Sequence, residues 1–145
     1  MNEKWNYRTI VGMLLCLSGN TRPDIALAVS QVCRFASAPK KPHASAVKTI
    51  LRYLKKTMDK GLIIKPAENP FQLDLHVDAD FCGLFGQEDP RDRSSVKSRA
   101  GHIVRLGGWP IIWKSQLQSH ISKSTLEAEQ DGGNYVRLIQ DLLQA

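Results

Sequence analysis

Apolar residues in this chain recur at a helical spacing up to Lys65 and alternate with a period of two after it. Helical side chains return to one face every 3.6 residues, and strand side chains every second residue. A chain that switches period midway therefore divides into a helical unit and a sheet-bearing unit. Pro66-Ala67-Glu68-Asn69-Pro70 reads as the turn between them. The expected units are residues 1–65 and 66–145, an α+β arrangement.

Three helices are expected in the first unit. Tyr7, Ile10, Val11, Leu14 and Leu15 share one face, and Gly19-Asn20 ends the pattern. Thr21-Arg22-Pro23-Asp24 reads as a start signal, with a hydroxyl cap, a first-turn Pro and an acid toward the helix dipole. Ile25, Ala28, Val29, Val32 and Ala36 continue the second helix. Pro39 and Pro42 punctuate, and a third helix runs from about Ala44 to Met58 with Gly61 as its C-cap. On it, Ala46, Val47, Ile50, Leu51 and Leu54 fall on one arc, and Lys48, Arg52, Lys55 and Lys56 on the opposite one. The basic arc reads either as a solvated surface or as a rail for a nucleic-acid backbone, each neutralised phosphate releasing counterions.

The second unit reads as strand, loop, hairpin and helix. Phe71, Leu73, Leu75 and Val77 alternate with Gln72, Asp74 and His76. Residues 83–98 are polar and aperiodic, a loop. Gly101 to Leu106 and Trp109 to Lys114 are two strands joined by Gly107-Gly108, a pair suited to the positive φ of a tight hairpin turn. Trp109 and Trp113 have like parity and are expected in the core. A helix begins near Ser124. Gly132-Gly133 costs about 1 kcal/mol per residue inside a helix, so a break is expected just after Glu129, before a fresh amphipathic pattern from Tyr135 to Leu143.

Charge follows the same division. The net charge is +6, and residues 40–60 alone hold seven Lys or Arg against Asp59. The second unit is the more acidic. No apolar run approaches a membrane span, and Met1-Asn2-Glu3-Lys4-Trp5 does not open a secretory signal. Three cysteines, Cys16, Cys33 and Cys82, imply free thiols in a reducing compartment. An intracellular location, cytoplasm or nucleus, is expected.

The residues suited to chemistry are carboxylates. Asp78 and Asp80 close the first strand in register with Asp74 and His76, so they project opposite the apolar set. Ser124 and Glu127 have the spacing of a capping box, which gives Glu127 a structural task. Glu129 has none and is the better metal-ligand candidate. His76, His102 and His120 lack the close spacing of a zinc site. Cys82 reads as a small buried residue.

These segments together resemble one family. The stretch Tyr7-Arg8-Thr9-Ile10-Val11-Gly12-Met13-Leu14-Leu15-Cys16-Leu17-Ser18 is similar to the end of copia-type retrotransposon reverse transcriptases. So are Thr21-Arg22-Pro23-Asp24-Ile25-Ala26-Leu27-Ala28-Val29-Ser30-Gln31 and Ala46-Val47-Lys48-Thr49-Ile50-Leu51-Arg52-Tyr53-Leu54-Lys55. The ribonuclease H region of the same Pol polyproteins is resembled by Val77-Asp78-Ala79-Asp80-Phe81-Cys82-Gly83, Ser98-Arg99-Ala100-Gly101-His102, Leu106-Gly107-Gly108 and Ser124-Thr125-Leu126-Glu127-Ala128-Glu129. The motifs stand in family order.

The resemblance implies a reverse-transcriptase tail followed by an incomplete ribonuclease H-like unit of three antiparallel strands and a helix. It implies a parent activity that hydrolyses the RNA of RNA–DNA hybrids with two Mg²⁺ (or Mn²⁺) ions held by carboxylates. Asp78 matches the first-strand aspartate and Glu129 the first-helix glutamate; Asp80 and Glu127 belong to the same motifs without an assigned metal contact. Departures begin at Gln130, where the family has an aromatic, and continue through Asp131-Gly132-Gly133-Asn134. The family's next catalytic aspartate is expected beyond Ala145, and the polymerase centre before Met1. Weak metal binding and little turnover follow. The expected partners are hybrid or duplex nucleic acid, the rest of the polyprotein and a second copy of the chain. A non-catalytic nucleic-acid-binding module and an inactive relic are the competing readings.

Overall fold

In the computed structural model, which describes residues 5–65, 68–83, 92, 94–130 and 133–134, Asn6 caps the first helix. Its side-chain oxygen accepts the Thr9 N–H at 3.2 Å, meeting one of the N-terminal donors that have no partner within the helix. Helix α1 (Tyr7–Asn20) buries Tyr7, Val11, Leu14 and Ser18. Leu15 is exposed, because it lies one residue past the buried seam. The chain then turns at Thr21 without a hydroxyl cap: the Thr21 hydroxyl bonds back to the Leu17 carbonyl instead. A 3-10 turn, Pro23–Ile25, leads into α2 (Ala26–Cys33), which buries Val29 and Val32 and leaves Ala28 exposed.

Helix α3 (Lys41–Lys56) starts earlier than the periodicity suggests, since Pro42 fits a first turn that needs no N–H from it. It ends at Thr57 rather than at Gly61: the Thr57 N–H closes the last turn on the Leu54 carbonyl. Val47 and Ile50 are buried and Leu54 partly so, while Ala46 and Leu51 face outward. Tyr7, Val11, Leu14, Ile25, Val29, Val32, Val47 and Ile50 make one cluster. Each such apolar side chain taken from water contributes about 1.5–3 kcal/mol before entropy is charged against it. The Tyr7 hydroxyl donates to the Val32 carbonyl at 2.7 Å, so the phenol is buried with its polar end satisfied.

The chain forms two compact units, Met1–Lys65 and Pro66–Ala145. The second holds a three-stranded antiparallel sheet in the order β1 (Leu73–Asp80), β2 (Arg99–Leu106), β3 (Trp109–Leu117). Phe71 lies outside the strand and is 91% exposed, whereas β1 continues through both aspartates. Gly107 and Gly108 have φ of 56° and 85°, the two positive values of a type I′ turn. Leu75 opposes Val104 and Ala79 opposes Ala100, which makes the apolar side of the sheet.

A register shift interrupts the β2–β3 ladder: Val104 opposes Ile112, but Arg105 opposes Pro110. Ile111 is thus the extra residue of a bulge. β3 is the edge strand of the described sheet, where Pro110 is tolerated because no other described strand needs its missing N–H. Beyond β3, residues 125–130 are helical, with Ala128 fully buried. Gln118 donates to the Ala128 carbonyl at 2.7 Å and accepts the Ser122 hydroxyl at 2.6 Å. The expected helix break at residues 131–132 and the helix from Tyr135 lie outside the described residues. No described helix is long and apolar enough to cross a membrane.

Candidate functional site

The first unit presents the basic face of α3. Lys48, Arg52, Lys55 and Lys56 are all exposed, opposite the side that buries Val47 and Ile50. Arg52 is steadied within the helix, its guanidinium reaching the Thr49 hydroxyl at 3.2 Å. The Lys48 ammonium stands 5.8 Å from the centroid of the Trp5 ring, a cation–π contact. Lys55 and Lys56 occupy the last turn, where cations complement the helix dipole. None of the four is ion-paired among the described residues, so their charge is available to an outside anion.

A polar latch fixes the end of α3 that carries Lys55 and Lys56. Arg22 pairs with Asp24 through Nε at 2.9 Å and Nη2 at 2.7 Å. The same guanidinium donates to the Thr57 carbonyl at 3.1 Å and hydroxyl at 2.8 Å. Tyr53 donates its hydroxyl to Asp24 at 2.8 Å. Hydrogen bonds from Arg22 hold the Asp24 carboxyl at about 2, against opposition from burial and with help from Tyr53. A cavity of about 170 Å³ opens beside the latch, lined by Pro23, Tyr53, Lys60 and Leu62 among others. Sequence reasoning took Arg22 and Asp24 as helix-start chemistry; their partner Tyr53 is 29 residues beyond Asp24, and nothing local announces it.

In the second unit Asp74, His76, Asp78 and Asp80 share the side of the sheet opposite Leu75, Val77 and Ala79. Asp78 opposes Gly101, so no cross-strand side chain crowds its carboxylate, and Asp78 is exposed. Asp80 opposes Arg99, but its carboxylate turns toward Gly83, where an added Cβ would collide with it. That gives Asp80 a loop-packing task. Cys82 follows at φ 51°, half-buried, its thiol directed at the Val96 carbonyl at 3.2 Å.

On the helix, the Ser124 hydroxyl accepts the Glu127 N–H at 3.2 Å, and the Glu127 carboxylate accepts the Lys123 N–H at 2.6 Å. Glu127 is occupied as a cap. Glu129 is exposed and makes no hydrogen bond or ion pair among the described residues. His102 is pushed below its usual value by burial and by the neighbouring Lys114, so it resists protonation. Trp113, opposite Ile103, shares the face of Asp78, whereas Trp109, opposite Leu106, lies on the apolar face. Both are half-buried rather than core.

No three His, Cys, Asp or Glu side chains converge among the described residues. Asp78 and Glu129 have the right chemistry for a hard divalent ion, but two carboxylates do not complete its oxygen shell. The described residues therefore do not form a metal centre by themselves.

No family model and no solved structure matches the chain. Among curated proteins, it is 38% identical over 129 residues to the retrovirus-related Pol polyprotein from transposon RE1 of Arabidopsis thaliana. That alignment covers 89% of this chain and 8% of the polyprotein. It is 40% identical over 123 residues to the Pol polyprotein from transposon TNT 1-94 of Nicotiana tabacum, covering 85% of this chain and 8% of that one. A shorter relative, the secreted RxLR effector protein 161 of Plasmopara viticola, is 35% identical across 85% of this chain and 80% of its own length. The chain thus spans about one-twelfth of the Pol polyproteins it matches.

Proposed function

We propose that the chain is a segment of a retrotransposon Pol polyprotein, as its 38–40% identity to the Pol polyproteins of transposons RE1 and TNT 1-94 supports, and that it joins the end of a copia-type reverse transcriptase to the first part of a ribonuclease H. In that reading the first unit holds nucleic acid through Lys48, Arg52, Lys55 and Lys56. The second contributes Asp78 and Glu129 to a carboxylate cluster that acts on the RNA strand of an RNA–DNA hybrid. The observation that carries it is Asp78: an exposed carboxylate in the sheet, facing a glycine and engaged by no neighbour among the described residues. Among the described residues, nothing in the packing asks for a carboxylate there.

Hydrolysis in the parent polyprotein depends on Mg²⁺ or Mn²⁺, which this segment alone holds weakly. The remaining ligands come from elsewhere in the polyprotein, so the segment by itself binds hybrid and turns over little. The four unpaired cations on α3 favour this binding role over catalysis.

The test is an end-labelled RNA–DNA hybrid incubated with the chain in Mg²⁺ or Mn²⁺, beside Asp78→Asn. Salt-sensitive binding without cleavage is the expected result. Cleavage that Asp78→Asn abolishes would make the two carboxylates sufficient. Neither binding nor cleavage would overturn the reading.

A further inference from the structure

Tyr53 stands next to the basic face of α3 and is 45% exposed. Lys56 lies three residues on, the spacing at which helical side chains are neighbours. Tyr53 also lines the cavity beside the latch, together with Lys60 and Leu62. The ring is not free to turn away. Its hydroxyl donates to Asp24 at 2.8 Å, and the Arg22 guanidinium sits 5.7 Å from its centroid. A half-exposed ring held in this way offers a ready apolar plane, with little ordering left to be done on binding.

The cavity has a volume of about 170 Å³, well below the roughly 300–1,000 Å³ of a pocket for a whole cofactor. It has room for one flat ring system. Pro23 and Leu62 supply apolar wall, and Asp24 supplies oxygen atoms. The Asp24 charge is balanced by Arg22 at 2.7 Å, so that pair adds no net charge. Lys60 is the uncompensated charge on the lining, and Lys56 follows on the helix. Both are exposed, and neither ammonium is ion-paired among the described residues. An aromatic plane flanked by cations is how proteins hold an unpaired base together with its phosphate. A blunt duplex keeps its bases stacked inside and has none to give.

We propose that this cavity takes one unpaired base of the strand that α3 holds, with the base against Tyr53 and its phosphate on Lys60 and Lys56. The site rests on the reading of α3 as a nucleic-acid rail and adds a preference to it. Hybrid with a single-stranded overhang binds more tightly than blunt hybrid. Every base has a π-face, so stacking of this kind tolerates any sequence. The site therefore distinguishes unpaired from paired nucleotides, and not one base from another.

Anisotropy titrations of the full chain compare a blunt RNA–DNA hybrid with the same hybrid carrying a short single-stranded DNA overhang. A third hybrid carries an abasic overhang of equal length, which keeps the phosphates and removes the bases. The overhang with bases is expected to bind at least about fivefold more tightly than the abasic one. A fluorescent aminopurine placed in it should be quenched as it stacks. Tyr53→Phe and Tyr53→Leu both remove the hydrogen bond to Asp24, so they disturb the latch alike. The preference is expected to survive Tyr53→Phe and to vanish in Tyr53→Leu; its survival in Tyr53→Leu overturns the proposal. Equal affinity for the two overhangs overturns the site and leaves the α3 rail standing. Binding to none of the three hybrids overturns the rail and the site together.

Discussion

Trp109 and Trp113 lie four residues apart on one strand and face opposite sides of the sheet, Trp109 across from Leu106 and Trp113 across from Ile103. An unbroken strand would put both on one side. The bulge at Ile111 rotates the remainder of β3 by one position, and an indole thereby joins the side that carries Asp78.

The latch on α3 is sensitive to acid. The Asp24 carboxyl titrates at about 2 in the folded chain against 3.8 in an unfolded one. A depressed carboxylate contributes stability above the unfolded value and loses it as pH falls toward the folded value. Asp24 is 38% exposed, so solvent screening reduces the effect to about 1 kcal/mol. Thermal melts of Asp24→Asn and the parent chain should therefore differ at pH 7 and converge between pH 4 and 2. Parallel melts across that range would show that the latch is not titrating.

Salt dependence reads the α3 face. Each phosphate neutralised by a Lys or Arg adds about 0.9 to the slope of log affinity against log salt on duplex nucleic acid. Replacing Lys48, Arg52, Lys55 and Lys56 with Gln is expected to reduce the slope by up to about 3.6 and to weaken binding at low salt most. An unchanged slope in a filter-binding or anisotropy titration would mark the face as solvated surface.

Gln118 is the buried polar joint between the end of β3 and the helical residues 125–130. Gln118→Ala leaves the Ser122 hydroxyl and the Ala128 carbonyl without the partner each has now. Stranding buried polar groups costs about 1–3 kcal/mol each, so denaturant melts should show a loss of about 2–4 kcal/mol. Gln118→Glu, which keeps an acceptor for Ser122, is expected to fall between the two.

The hairpin turn tests backbone chemistry alone. Gly107→Val puts a β-branched residue at φ 56° and should cost about 1–2 kcal/mol. Gly107→Asn, whose side chain tolerates that region, should cost less, as read by the melting temperatures of the two variants.

Asp78 separates function from fold. An exposed side chain without partners contributes little to stability, so Asp78→Asn should melt within about 0.5 kcal/mol of the parent chain. A large stability change would give Asp78 a structural role instead.

The helices, the Gly107-Gly108 turn and the face shared by Asp78 and Asp80 were legible because each is a local matter of period or backbone freedom. The change of period at Lys65 and the division of the chain fall at the same place. Three features were not legible. Thr21 looked like a cap, but its hydroxyl bonds back to the Leu17 carbonyl of the preceding helix. Trp113 looked like core, because one inserted residue changes the parity of everything after it. Asp80 stood beside Asp78 in one motif, and only the loop geometry at Gly83 separates their tasks.

Pro110 and the bulge beside it make β3 a poor template. A strand laid along it would meet a missing N–H at Pro110 and an unmatched residue at Ile111. Regular pairing cannot run the length of that strand, so among the described residues this side of the sheet is guarded against the edge-to-edge stacking that builds fibres.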